Sequence, residues 1–316
     1  MTDNRLHKDA PARIGFEMLP AIPQLMTEYR RALGGMLPGV WKPGKLATPH
    51  TAPGSRDRVP CTGFEVTGVV PELNHLAEYC LATGLRLGQW LPATYPYVLG
   101  FPLAIKLMNA PGFLFAAVGT VHLTNSIEQF APIPVGTPLD FRVFAGNPRA
   151  HRAGVLIDVI TEVCAGTGSE KPGAAAPGRP QAVDSGTTTP SDAGRLLWRQ
   201  VSGFLGKGAA TDGLPAVGPS AIDHARIPEA QPAFFNVDQR TIASYANASG
   251  DKNPIHVSKL GAKAFGFPTT IAHGMWQAAF MLSRMEGLVP RKLHFDVEFG
   301  KLVRIPGRVA FTAERD

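Results

Sequence analysis

Apolar and polar positions alternate between helical and strand spacing, and they do so twice along the chain. Leu25, Met26, Tyr29 and Leu33 recur near helical spacing and predict one helix within Pro20 to Leu33. Residues 42–58, rich in Pro, Gly, Thr and Arg, are expected to form an extended loop. From Val59 to Val70 the spacing of Phe64, Val66, Val69 and Val70 predicts a strand. Asn74 to Ala82 follows as a short helix ending near Gly84. Leu91 to Phe115 is apolar but interrupted by Pro92, Pro96 and Pro102, so a turn and then a buried helix from Leu99 to Met108 are expected. Strands are predicted over 114–123, 127–130, 139–144 and 154–163, with Asn147-Pro148-Arg149 turning the last two into a hairpin.

Residues 166–195 hold almost no large apolar side chain and read as a linker or surface insertion. Leu196 to Phe204 resumes with Leu-Leu-Trp and Val201, the expected final strand of a first half. A second Gly/Pro-rich stretch spans 206–219. Phe234 to Val237 then opens a second half, with Asp238 placed to cap a helix over 240–248. Another helix is predicted from Ala272 to Arg284. The expected organisation is an N-terminal extension (1–58), a first half (59–205) carrying the insertion, a linker (206–230) and a second half (231–316).

The two halves repeat one plan at weak identity. Tyr79 and Gly84 align with Tyr245 and Gly250, and Leu91 to Thr94 with Phe267 to Thr270. Leu123, Ile127, Glu128, Ile133, Val135, Leu139 and Phe141 align with Leu293, Val297, Glu298, Val303, Ile305, Val309 and Phe311. The first half lacks about ten residues between the aligned glycine and Leu91, and those are the ones that hold Asp251, Asn253 and His256 in the second. Tyr97 stands for His273 and Val98 for Gly274, so the first half is expected to be catalytically empty. After Phe311 only five residues remain, Thr312 to Asp316, where the first half continues into a hairpin. The second half is therefore expected to be one or two strands short, as a fragment of a longer frame or with another segment, such as Leu196 to Phe204, or a second subunit covering the gap.

Composition narrows the class. With 44% hydrophobic and 18% charged residues, the chain suits a well-buried fold. No apolar run reaches the roughly 18 residues of a membrane span. Met1 to Pro11 lacks an apolar signal core, which makes a cytoplasmic enzyme the expectation. Cys61, Cys80 and Cys164 have no metal spacing and read as reduced thiols. A net charge of +6 suits an anionic partner, and the absence of a dense Lys/Arg run with interleaved aromatics argues against nucleic acid.

The chemistry concentrates in Ala248-Ser249-Gly250-Asp251-Lys252-Asn253-Pro254-Ile255-His256, followed by Gly266-Phe267-Pro268 and Ile271-Ala272-His273-Gly274-Met275. Asn253-Pro254 is a turn signal that places a carboxylate and an imidazole in one short loop. The helix starting beside His273 offers backbone N–H groups without intrahelical partners. A base facing such donors suits chemistry beside a carbonyl oxygen that becomes negative.

These two blocks resemble the signature of the MaoC-like, or hydratase 2, family of (R)-specific enoyl-thioester hydratases. The resemblance implies an α+β double hot-dog, two antiparallel sheets each wrapping a long central helix, with one half keeping the site. It implies reversible hydration of trans-2-enoyl thioesters, carried on coenzyme A or acyl carrier protein, with no metal and no organic cofactor. Asp251 and His256 would hold the attacking water. Asn253 would orient the loop or His256, Gly274 N–H would receive the thioester oxygen, His273 would orient the helix start, and Ser249 would brace the loop. The missing first-half loop implies room for longer acyl chains, to be narrowed by bulky residues around Gly84 or Gly88. A homodimer is possible.

Taken singly, Asp251 is a turn residue and His256 a hydrogen-bonded imidazole. Two further readings stay open: a non-catalytic acyl-thioester-binding subunit, and a hot-dog thioesterase, for which this motif is not the expected one. His122 and Glu128 read as edge-strand residues, and His75 with Glu78 is too small a set for a metal. Met275, Met281 and Met285 with Phe280 and Leu282 read as the buried face of the last helix.

Overall fold

The structure is a computed structural model, and it describes residues 14–34, 62–166, 193–220, 222 and 230–314. The expected loop at 42–58, Cys61 and most of the 166–195 insertion lie outside the described residues. In chain order the elements begin with β1 (Gly15–Met18), α1 (Leu25–Gly34), β2 (Thr62–Val69), α2 (Leu73–Thr83) and α3 (Tyr95–Met108). Next come β3 (Val121–Gln129), β4 (Leu139–His151), β5 (Gly154–Ala165), β6 (Leu196–Lys207) and β7 (Ala233–Val237). The last are α4 (Gln239–Ser249), α5 (Pro254–Val257), α6 (Lys259–Ala264), α7 (Gly274–Arg284), β8 (Leu293–Glu298) and β9 (Gly307–Phe311).

Helix α3 is the core of the first half. It starts at Tyr95, four residues before the expected Leu99, because Pro96 sits in the first turn, where a missing N–H costs nothing. Leu103 and Leu107 are fully buried and Met108 nearly so, against a sheet formed by β2, β4 and β5. Burying each such side chain contributes about 1.5–3 kcal/mol relative to leaving it in water. The Leu91–Phe115 run is largely apolar because this helix is buried along almost all of its length, Leu99 and Lys106 being only partly covered.

The strands run β1-β2-β4-β5-β6-β3-β8 in one seven-stranded sheet, antiparallel except for β1 beside β2, while β7 and β9 form a separate two-stranded ribbon. The double hot-dog plan is present, but the strands are divided unevenly: β8 is joined to the large sheet through β3. In that pairing Ser126 faces Asp296, and these positions differ by 170, the offset of the repeat (296 − 126). The two equivalent strands thus meet about a local two-fold axis. Helices α2 and α4 obey the same relation: each ends at a left-handed glycine, Gly84 at φ 79° and Gly250 at φ 72°, and the Tyr79 and Tyr245 rings lie 6.2 Å apart.

Several local expectations are corrected. The 114–120 segment is not a strand: Phe113 and Phe115 pack edge-on at 5.2 Å in a buried irregular stretch, whose apolar run imitates a core strand. The 127–130 segment is the end of β3 rather than a strand of its own. Asn147-Pro148 is not the hairpin turn; the register of β4 and β5 shifts between Gly146 and Arg149, a bulge with Asn147 at φ 51°, and the turn falls at Arg152-Ala153. β3 lies between β6 and β8, which pairs with Thr124–Gln129, so Glu128 is not an edge residue; His122 lies before that pairing, beside Phe204 of β6. Among the described residues the second half supplies β7, β8 and β9. β6 does not cover its gap, because it is sandwiched between β5 and β3 in the large sheet.

Candidate active site

The loop after α4 is built by short polar contacts. Gly250 leaves the helix in the left-handed region, so the chain reverses at once. Ser249 Oγ accepts from Asp251 N–H at 3.2 Å, and Asp251 Oδ1 accepts from Asn253 N–H at 3.2 Å. Asn253 caps α5, its Oδ1 accepting from Ile255 N–H at 3.3 Å, with Pro254 in the first turn. One turn of helix then carries His256 inward to 8% exposure.

His256 Nδ1 contacts the Ile271 carbonyl at 2.8 Å. A carbonyl only accepts, so Nδ1 carries the proton and Nε2 is left as the basic nitrogen. Burial holds the imidazole below its ordinary value, opposed by the Asp251 charge and the Ile271 carbonyl. His273, the N-cap of α7, contacts the Asp251 carbonyl through Nε2 at 2.9 Å and lies 3.8 Å from Asp251 Oδ2. Burial and neighbouring His256 push His273 down to about 3, so it is neutral and braces the loop. Its Nδ1 is buried without a partner.

Asp251, Asn253, Ser249, His256, His273 and Gly274 all line one cavity, so the structure brings the sequence-predicted residues together. Gly274 opens α7, and a Cβ there would sit 3.0 Å from the Phe299 ring. The absence of a side chain lets the Phe299 ring pack directly on that first turn. Asp251, His256 and His273 each offer a ligand atom within 4.8 Å of the others, the spacing of a metal trio. The ring nitrogens that contact Ile271 and Asp251 are committed to carbonyls, and the same closeness suits a water held between Asp251 and His256.

The cavity runs on into the first half, where Tyr97, Phe101, Ile105, Met108, Ala117 and His122 line it. Its free volume is about 100 Å³. His122, read from sequence as an edge residue, is packed between Phe204 at 4.5 Å and Phe299 at 5.0 Å, and burial pushes it down to about 3. Gly84 and Gly88 are not on this cavity; Gly84 faces Ser283 and Arg284. Leu282 is buried and Ser283 donates to the Phe280 carbonyl at 2.7 Å, so neither reaches the site.

Sequence reasoning missed two tyrosines. Tyr245 packs on His273 at 5.0 Å, and Tyr29 of α1 donates to Asp251 Oδ1 at 2.5 Å. Tyr245 was visible as the partner of Tyr79 in the repeat. Tyr29 carried no signal beyond its place in a helical pattern.

Residues 224–316 match the MaoC like domain. Over 298 residues the sequence is 33% identical to 3-hydroxyacyl-thioester dehydratase X of Mycobacterium tuberculosis, spanning 93% of this chain and 90% of that one. This chain belongs to the MaoC-like family. The crystal structure of HtdX from Mycobacterium tuberculosis matches it with a TM-score of 0.60 at 32% identity, covering 78% of this chain and 85% of the other. A MaoC-like dehydratase from Phytophthora capsici shares the fold, with a TM-score of 0.56 at 18% identity over 80% of this chain and 84% of its own. In this MaoC-like chain the family block coincides with the half that holds the loop of Asp251 and His256. No helix among the described residues is long and apolar enough to cross a membrane.

Proposed function

We propose that this protein catalyses the reversible hydration of trans-2-enoyl thioesters to (R)-3-hydroxyacyl thioesters in fatty-acid metabolism. The observation that carries the reading is a carboxylate and a neutral imidazole sharing one cavity with the open N-terminus of α7. Water is a poor nucleophile and must be held and deprotonated. His256 Nε2 and Asp251 Oδ2 hold it. As a proton passes to this pair, the hydroxyl adds to C3 and the electron pair moves onto the thioester oxygen. The Gly274 N–H receives that enolate oxygen. The proton is then delivered to C2, so the net change is addition of one water. In reverse the same groups dehydrate a 3-hydroxyacyl thioester.

The substrate is carried on coenzyme A or an acyl carrier protein, both anionic, and Lys301 at the cavity supplies positive charge for them. A cytoplasmic setting belongs to the same proposal and accords with Cys80 and Cys164 being free thiols. A purely binding subunit has no use for a paired base and acid, which favours the enzyme reading. The test is hydration of crotonyl-CoA and a longer enoyl-CoA by the purified chain, with chiral analysis of the product. The (R)-3-hydroxyacyl thioester is expected; no hydration, or a predominantly (S) product, would sink the proposal.

A further inference from the structure

We propose that Tyr29, on the N-terminal helix ahead of both halves, is a positioning residue for Asp251, pinning one carboxylate oxygen so that the other is presented to the water. This rests on the hydratase reading. The phenol of Tyr29 lies 2.5 Å from Asp251 Oδ1, across 222 residues of sequence. The same oxygen accepts the Asn253 N–H at 3.2 Å. Two donors therefore fix Oδ1 from opposite ends of the chain. Oδ2 has His273 Nε2 at 3.8 Å, beyond hydrogen-bond range, and keeps its accepting capacity for a ligand. The carboxylate is thus sorted into an anchored oxygen and a working one.

Helix α1 is itself held against the site. Asn109, at the end of α3, donates to the Glu28 carbonyl at 3.0 Å. Leu25, one turn before Tyr29, is buried, and its side chain lies where a Cβ on Gly250 would meet it at 3.4 Å. Leu25 and Tyr29, four apart on one helix face, meet consecutive residues of the loop, Gly250 and Asp251. The aromatic ring is 6% exposed and belongs to the core. Burial, and then the Asp251 charge, hold the phenol well above its ordinary value, so it stays a donor across the working range of pH. Tyr29 acts through Asp251 and does not itself take the proton.

The bland alternative is that this hydrogen bond only fastens α1. The two differ in kinetics. In the full chain, Tyr29→Phe keeps the ring and loses the donor. A hydrogen bond to a charged group predicts that kcat falls roughly ten- to a hundredfold, with KM within about threefold of native. In an Asp251→Asn background the same substitution should cost little more, because the two act as a unit. If the phenylalanine variant fails to fold, Tyr29→His, which keeps a donor, is compared with Tyr29→Met, which does not. Native kcat in Tyr29→Phe, whatever its melting temperature, overturns the proposal. So does a rise in KM alone. A native chain that is inert towards every enoyl-CoA tried overturns the hydratase reading and this one with it; an active native chain with an unaltered Tyr29→Phe overturns this one only.

Discussion

The imidazole of His256 lies almost flat on that of His273, ring centroids 3.7 Å apart and planes 27° apart. A proton on either ring would place a buried cation against the other. Both are held below the ordinary imidazole value, so both are neutral at neutral pH. A base whose conjugate acid is disfavoured stays available in mildly acidic solution. The acid limb of kcat/KM that belongs to His256 should therefore fall below pH 6.5, the ordinary imidazole value. A pH–rate profile with crotonyl-CoA checks this, and a limb at 7 or above would contradict it.

The same burial has a cost in stability. His122 and His273 are each pushed down to about 3 in the folded chain. Unfolded, they take up protons near 6.5. Between those values the unfolded state binds more protons, so stability is complete above about pH 6.5 and declines as pH falls towards 3. Each group contributes a slope of about 1.4 kcal/mol per pH unit in that window. Urea unfolding at pH 7, 6, 5 and 4 should show the decline, and His122→Phe should flatten it by about one proton's worth.

Removing either half of the water-holding pair should cost turnover rather than folding. Asp251→Asn and His256→Ala are each expected to lower kcat by roughly two to four powers of ten, the range for losing a general acid or base. Circular dichroism and melting curves should stay near native. A variant that hydrates its best substrate at near-native rate would remove that residue from the mechanism.

Depth of the cavity, rather than the chemistry, should govern chain length. Ile105, Met108 and Ala117 line the end formed by the first half. Acyl chains longer than four carbons are expected to be accepted. Ala117→Phe should depress kcat/KM for a long enoyl-CoA well before it affects crotonyl-CoA. Equal losses on both, or native activity confined to crotonyl-CoA, would count against this. Substitution at Gly84, which faces Ser283 and Arg284, tests stability instead.

What the sequence made legible was local. The block from Ser249 to His256 could be read because its turn, cap and helix signals lie within eight residues, and the structure closes it with hydrogen bonds of the same range. Gly84 was legible as a helix end because a left-handed residue favours glycine, and Gly250, its counterpart in the repeat, ends α4 in the same way. Asp238 was legible as a cap and accepts the Thr241 N–H at 2.8 Å. What escaped was non-local. Tyr29 meets Asp251 across most of the chain, and no spacing rule connects them. His122 looked like an edge residue because nothing in β3 announces that the Phe204 and Phe299 rings cover it. Burial also disguised form: the run through Phe113 and Phe115 has strand composition but serves as an irregular plug, since apolar content reports depth and not backbone shape.

The cavity draws its reactive groups from one stretch of chain and its depth from another. On the proposed mechanism residues 249–275 set how fast water attacks, while Tyr97, Ile105, Met108 and Ala117 line the space left for the acyl chain. Selection can then retune the substrate without revisiting the reaction. If the first half is idle as proposed, loss of its loop does not cost an enzyme; it supplies a second, freely mutable wall. Laboratory evolution on this scaffold should find altered chain-length preference in α3 and the 113–120 plug, with the Asp251 loop left as it is.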